Sequence, residues 1–335
     1  MSFPGRTHLA RRMSSMTVPP SLRAAVLALV VGVVLTSAAG AAQITATRPS
    51  RSSARQLSLV FKPAHKVSNA VLAETVRILR HRLNSLGLPK ASARSQRGEV
   101  VVLVPDTKKA KQFSETIGET GLVFLRPALC GAPAFAGEAS PGAEPATVAL
   151  PACTATSQLT ESNLGASPSA GTTFHVNTVP ADRSLAAYPS TSPTSDRKAR
   201  TVLLPAIKGA QYARYLLGPA AMTDHAFASA TAQKTPLGRW LVNYTLTSMG
   251  TSQWEDLAKA RFHEIVAVDL DGVVQSAPLI EPSQSTFVSF AGRGEIAGNL
   301  TEDDAQGLAL AMQFGPLPVR LIHEATRALR ASATT

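Results

Sequence analysis

Metal-ligand chemistry has little to work with in this chain of 335 residues. There are two cysteines, Cys130 and Cys153, and seven histidines (8, 65, 81, 175, 225, 263 and 323) with no i,i+4 pair among them. Neither a zinc-type thiolate set nor a helical His pair can be read from that spacing, so no metal and no cofactor is expected. No serine stands in a G-x-S-x-G setting, which excludes the nucleophile elbow of the α/β hydrolases. Acidic residues are absent before Glu74, and residues 24–42 carry no charge of either sign.

The missing acids shape the charge balance. Seven arginines precede residue 56 with no acid among them, whereas the remainder holds 26 basic and 22 acidic residues. The formal net charge of +11 is therefore mostly a property of the amino-terminal segment, and a nucleic-acid footprint on the folded part is excluded. Basic residues beside an apolar run of about 20 residues are how a membrane orients a chain, with Lys and Arg kept in the cytoplasm. Residues 1–23 read as a basic cytoplasmic tail, 24–42 as a transmembrane anchor and 43–56 as a Ser/Arg/Pro linker. The competing reading is a cleaved signal segment, since Ala39-Gly40-Ala41 has the small-residue pattern of a cleavage site. Both put everything after residue 43 outside the cytoplasm: a single-pass cell-membrane protein, or a secreted one.

Regular patterning starts at Leu57. Leu57–Lys62 reads as a strand, and Asn69–Leu86 as a helix with Leu72, Val76, Leu79, Leu83 and Leu86 at alternating four and three spacing. Arg77, Arg80, Arg82, Lys90, Arg94 and Arg97 form a basic side to this region, read as solvated or facing lipid headgroups. Two strands (Lys90–Ser95, Glu99–Val104), a helix (Thr107–Thr120, with Ala110, Phe113 and Ile117) and a last strand (Leu122–Arg126) complete a β-α-β-β-α-β order, the ferredoxin-like pattern. Residues 57–126 are thus expected to be one subdomain.

From 127 to 200 the composition turns to Ala, Pro, Ser, Thr and Gly, with nine prolines and weak periodicity, and reads as a long loop insertion. It contains both cysteines. An isolated pair in an oxidising compartment favours a Cys130–Cys153 disulfide over a metal site, with free thiols the alternative. Residues 201–321 read as a second α+β subdomain, with a strand at Trp240–Leu246, a helix opening at Ser252, both tryptophans in the core, and 322–335 as a tail.

The most informative stretch is Ile265–Leu321. Asp271-Gly272 between two β-rich runs predicts a hairpin turn with positive φ at both residues. Gly292, Gly294 and Gly298 read as turn glycines flanking a short strand. Thr301 caps a helix whose acidic first turn (Glu302, Asp303, Asp304) suits the helix dipole, whose Ala305, Leu308, Ala309 and Met312 form one core face, and which Gly315-Pro316 ends.

The order D-G-x-V-x-S-A-P (271–278), G-x-G-x-I-x-G-N-L-T (292–301), acidic helix start, Leu308-Ala309-Leu310 and Gly315-Pro316-Leu317-Pro318-Val319 resembles the end of the first large extracytoplasmic domain of SecD, a membrane subunit of the bacterial protein-export machinery. Blocks at 215–260 and 70–105 resemble earlier parts of that domain, so the likeness covers roughly two thirds of the chain. It implies an α+β fold with a ferredoxin-like base and a head subdomain. One departure stands out: the Asp-Leu-x-Gly-Gly motif of family members is replaced by QLSLVFKP at 56–63. Family members also have five further transmembrane helices that help carry protons. No second apolar segment follows Leu321, so the expectation is a stand-alone domain and not itself a proton-driven motor.

Two other motifs suggest enzymatic chemistry without the residues that it needs. VAVDLDGVV resembles the nucleophile loop of haloacid-dehalogenase phosphatases, but no lysine occurs after Lys259 and Asp303-Asp304 is explained by capping, so the cation and the metal-holding carboxylate are missing. Gly292-Arg293-Gly294 lacks the strand-to-helix context of a phosphate loop. The expected function is non-enzymatic: an export accessory that binds unfolded secretory polypeptides or Sec translocase components and no nucleic acid, the alternative being a structural cell-envelope protein with no export role.

Overall fold

A computed structural model describes residues 56–329 except 89, 113–115, 138–148, 154–157, 163–173, 179–180, 282–283 and 285. The expected basic tail, anchor or signal segment and nearly all of the linker lie outside the described residues, as does Phe113. Among the described residues no helix is long and apolar enough to cross a membrane. The elements in order are β1 (Gln56–Pro63), α1 (Asn69–Ser85), β2 (Ser92–Gln96), β3 (Glu99–Pro105), α2 (Lys108–Gln112), β4 (Val123–Ala132), β5 (Gln158–Ser162), β6 (Phe174–Thr178), β7 (Val202–Pro205), β8 (Arg214–Leu217), β9 (Met222–Thr223), β10 (Phe227–Lys234), β11 (Trp240–Leu246), α3 (Ser248–Ala260), β12 (Val266–Leu270), β13 (Val273–Ser276), β14 (Arg293–Ala297), α4 (Glu302–Phe314) and β15 (Leu321–Leu329).

The base is an antiparallel sheet in the order β15-β1-β3-β2. Leu57, Leu59 and Phe61 of β1 alternate with Val100, Val102 and Val104 of β3 toward one core, and α1 lays Leu72, Val76, Leu79 and Leu83 on it. Ser68 caps α1 by accepting from the Val71 N–H. The β-α-β-β-α-β order is present, but with other members than the sequence suggested. Its second helix is α4 and its last strand is β15, which pairs with β1 from Leu321↔Pro63 to Leu329↔Gln56. Residues 57–126 are therefore not one continuous subdomain, and 322–329 are not a tail.

The reason lies in the burial each strand needs. Nine of the ten residues of β4 are buried, which a strand achieves only with cover on both faces. β15 buries little beyond Leu321, which suits a sheet edge. Within the expected helix at 107–120, the described residues form α2 and a 3-10 turn at Thr116–Gly118, and α2 buries Ala110.

The head lies between β3 and α4 in sequence. Its larger sheet runs β13-β12-β4-β8-β7, with β9 beside β4, and Ala206 after β7 bridges to Val274 of β13, bringing the two edges together. One face carries Val123, Leu125, Val266, Val268 and Leu270 into a core shared with the antiparallel sheet β10-β11-β14 and with α3 and α4. The other face carries Ala128, Cys130, Ile265 and Ala267 into a core with Leu185, Val202, Leu204, Tyr215 and Leu217. α3 begins at Ser248, earlier than the expected Ser252, with Thr247 as its cap.

α4 joins the two parts. Thr301 and Asp304 form a reciprocal capping box, and Gly315 ends the helix at φ +71°. The expected single core face is only part of its contact surface. Ala305, Leu308, Ala309, Ala311 and Met312 pack into the head, while Leu310 packs into the base core. Gly307 lets Thr116 approach, since a Cβ there would meet the Thr116 methyl at 3.0 Å.

The described parts of the 127–200 insertion are more ordered than its composition suggested. β4 extends to Ala132, Asp182 caps a 3-10 turn at Arg183–Ala187, and Thr191 N–H donates to Leu203 O.

Candidate functional site

An apolar cavity of about 330 Å³ lies inside the head. Its walls come from five strands and a helix: Leu125 (β4), Phe227 (β10), Tyr244 (β11), Val266 and Val268 (β12), Ile296 (β14) and Trp254 (α3), with Ile280 and Phe290 from the β13–β14 connection. Alternation in those strands turns every second residue inward, and the aromatic rings meet edge to face, Phe227 on Tyr244 at 5.4 Å and Trp254 on Phe290 at 5.5 Å. Burial pushes the Tyr244 phenol up to about 12, so it stays a neutral donor at any physiological pH. Trp254 Nε1 is buried and has no hydrogen-bond partner among the described residues. An indole N–H buried without a partner is a cost that the surrounding packing offsets. Trp254 is the core residue expected, whereas Trp240 is only half-buried.

Gly294, expected in a turn, instead sits inside β14 opposite Tyr244. A Cβ at that position would lie 2.5 Å from the Tyr244 hydroxyl oxygen, so the glycine makes room for the phenol. Gly298 has no positive φ either, whereas Gly292 does, at +69°. Asp271 and Gly272 take φ of +50° and +83° between β12 and β13, the hairpin geometry their spacing suggests.

Asp271 also does something sequence reasoning missed. Its carboxylate accepts from the backbone N–H groups of Gly121 and Leu122 at 2.7 and 2.9 Å, where the chain passes from base to head. Burial raises its proton affinity, and those two amides work against the rise. From the other side Arg82 of α1 holds the same crossing, donating to Glu119 O (2.7 Å), Thr120 O (3.0 Å) and Gly315 O (2.9 Å). Arg82 is 2% exposed, which removes it from the expected basic surface, and desolvation lowers its guanidinium to about 10, still charged at neutral pH. Arg77 of that surface is paired with Glu74 and Arg80 donates to Ala93 O.

Asp269, the would-be phosphatase nucleophile, is fully buried. It accepts from Arg126 Nε at 3.2 Å and from the Gly272 N–H at 3.0 Å. That is a structural position with no path for a substrate. Arg126 uses its remaining donors on Asp196 Oδ1 (2.6 Å) and on the carbonyls of Arg197, Arg200 and Gly218. Two carboxylates around one guanidinium leave a surplus negative charge in a dry site. Desolvation and then the neighbouring Asp196 raise the proton affinity of Asp269 well above that of an ordinary carboxyl, and Arg126 offsets part of the rise.

Cys130 and Cys153 are joined by a disulfide. Among the described residues the only grouping of potential metal-ligand atoms is these two sulfurs with Asp182. Oxidised sulfurs do not serve as thiolate ligands, so the grouping fits a bridge rather than an ion.

The fold and cavity define a class: a sheet-rich α+β module in which a head with an apolar interior is inserted into a four-stranded base. Residues 202–319 match the family model of the SecDF P1 head subdomain, and this part of the chain carries that subdomain. Over 115 residues the chain is 30% identical to protein translocase subunit SecD of Sebaldella termitidis, covering 34% of this chain and 27% of that one. It is 35% identical to the SecD subunit of Endomicrobium trichonymphae over 115 residues, 33% of this chain and 23% of that one. The chain thus spans about a quarter of the length of these curated relatives. A crystal structure of SecDF in a super-membrane-facing form has the same fold at a TM-score of 0.50 and 19% identity, covering 83% of this chain and 30% of the other.

Proposed function

We propose that the protein is an export accessory of the SecD type whose head takes up segments of unfolded exported polypeptide in the Trp254 cavity. The observation that carries this reading is that the apolar cavity lies almost wholly within the residues matching the SecDF P1 head model, 202–319. Apolar and aromatic walls suit the apolar side chains of an extended chain. The relatives are named as translocase subunits, which supports unfolded secretory polypeptides or Sec translocase components as partners. A cell-membrane location with residues 57–321 outside the cytoplasm belongs to the same reading, as does function without nucleotide or catalysis. The disulfide agrees with an oxidising compartment.

The test is site-specific photo-crosslinking in cells. A photoreactive phenylalanine at Phe290, on the cavity wall, should capture a secretory polypeptide stalled during export, and the same probe at exposed Leu237 should not. Equal capture at both positions, or none at Phe290, would overturn the reading and leave a structural envelope protein in its place.

A further inference from the structure

All five N–H groups of Arg126 are occupied: Nε by Asp269 Oδ2, Nη1 by the Arg200 and Gly218 carbonyls, and Nη2 by Asp196 Oδ1 and the Arg197 carbonyl. Asp269 Oδ1 accepts from the Gly272 N–H. The remaining carboxylate oxygen, Asp196 Oδ2, is buried without a hydrogen-bond partner among the described residues. The Asp196 and Asp269 side chains are 1% and 0% exposed, so solvent does not supply the missing donor. An ionised oxygen held that way is costly, whereas a proton on it finds an acceptor in Asp269. The charged groups that act on Asp269 are Asp196 of the insertion and Arg126 of β4. The Arg197 and Arg200 side chains are exposed, and Asp271 faces the Gly121 and Leu122 amides instead, with Arg82 and Arg320 acting on it. One cation among two carboxylates leaves a surplus negative charge that a single proton cancels. Desolvation and then Asp196 raise the proton affinity of Asp269 in agreement with that count.

From this geometry we infer that one proton, shared between Asp196 Oδ2 and Asp269, latches the end of the 127–200 insertion onto the head and makes its docking sensitive to the surrounding pH. With the proton in place the orphan oxygen has its hydrogen bond and the cluster is neutral. Residues 193–200 are then held throughout: the Arg197 and Arg200 carbonyls on Arg126, the Lys198 carbonyl on the Ala220 N–H, and Pro193 against Gly272. When the proton leaves to solvent, two ionised carboxylates face one guanidinium. Arg126 and Asp269 sit in paired strands, whereas Asp196 belongs to no helix or strand, so the insertion is the part that gives way. β4 and β12 wall the head cavity from their other face, through Leu125 and Val268, and the latch therefore backs directly onto that wall. The undocked segment releases its proton above the ordinary carboxyl value of 3.8, while the docked one keeps it up to the raised folded value. Docking is thus independent of pH below 3.8, and between the two values undocking becomes about tenfold easier per pH unit, since one proton is released. This holds whatever the head cavity binds.

Amide hydrogen exchange on the full chain in detergent tests the latch at Ala220, whose N–H donates to the Lys198 carbonyl, once the intrinsic exchange rate at each pH is divided out. In wild type the opening constant there should rise about tenfold per pH unit across that window. Asp196→Asn puts an N–H where the orphan oxygen stands, a fixed copy of the shared proton, so its opening constant should no longer change with pH. Asp196→Ala removes proton and carboxylate together and should leave the segment undocked at every pH. Infrared spectra within the window should show a protonated-carboxyl C=O band in wild type that Asp196→Asn removes. The wild-type slope is read without any variant, so a folding defect in a variant cannot hide the result. A wild-type opening constant that stays flat with pH, a slope that persists in Asp196→Asn, or identical carboxyl bands in the two proteins would each overturn the shared proton.

Discussion

Arg126 donates to Asp196 Oδ1 at 2.6 Å across 70 residues of sequence, and both side chains are essentially inaccessible to solvent. The pair pins the end of the Ala/Pro-rich insertion to the middle strand of the head, and the carbonyls of Arg197, Arg200 and Gly218 complete the guanidinium shell. Removing the cation leaves two carboxylates and three carbonyls without it. Arg126→Met should therefore cost about 3–5 kcal/mol, as expected when one member of a buried ionic cluster is deleted. The triple variant Arg126→Met with Asp196→Asn and Asp269→Asn should recover part of that loss, because no uncompensated charge is left behind. Urea denaturation of the three proteins checks it, and a triple variant less stable than the single one would count against this account.

The same cluster predicts a pH dependence. Folding raises the proton affinity of Asp269 above its ordinary value of 3.8, so the folded chain holds a proton that the unfolded chain has released. Its contribution to stability is complete below 3.8 and is lost as the pH rises through the raised folded value. Asp271 and Asp224 shift the same way, so wild-type stability should fall from acidic toward neutral pH in this window. Asp269→Asn should flatten part of that slope. Parallel denaturation midpoints for the two proteins across the range would refute it.

Arg82 makes a prediction about the junction. Three carbonyls from two separate crossings converge on one guanidinium, and Leu317 N–H donates to Thr120 O between them. Arg82→Met should cost about 3 kcal/mol, since each buried carbonyl left unpaired costs roughly 1–3 kcal/mol and some recover water. Arg82→Lys should recover little, because an ammonium cannot copy a planar fork. Amide hydrogen exchange should speed up at Gly121 and Leu122 in both variants. Unchanged exchange there would show that the clamp does not hold the crossing.

What was legible in the sequence was local. Asp271-Gly272 marked a hairpin because its backbone demand is specific, and Thr301 with Asp304 marked a cap for the same reason. The α1 stripe was plain at helical spacing. What was missed depends on distant partners. Arg126 looked like a strand terminus, since its acids lie 70 and 143 residues away. Arg82 looked like a surface charge because the carbonyls that bury it belong to segments 37 to 233 residues away. β15 showed no alternation, as an edge strand with one buried residue need not, so the base could not be closed from local pattern. The Trp254 cavity followed the same rule: its wall residues read as core, and only the assembled sheets show the space between them.

The disulfide offers a last test. Cys130 is fully buried on β4, facing the core that includes Leu185 and Tyr215, and Cys153 ties the far end of the described loop back to it. The bridge spans 23 residues, and closing a loop of that size stabilises by roughly 3 kcal/mol through the entropy removed from the unfolded chain. Cys153→Ser should lower the denaturation midpoint by a corresponding amount, and wild type with reductant should match it. Because Gly131, next to Cys130, accepts from the Asp182 N–H, the loosened chain should also exchange faster at Asp182. Alkylation of the native protein should label neither cysteine until reductant is added. Ready labelling without it, or a Cys153→Ser protein as stable as wild type, would show that the bridge does not form in the native protein.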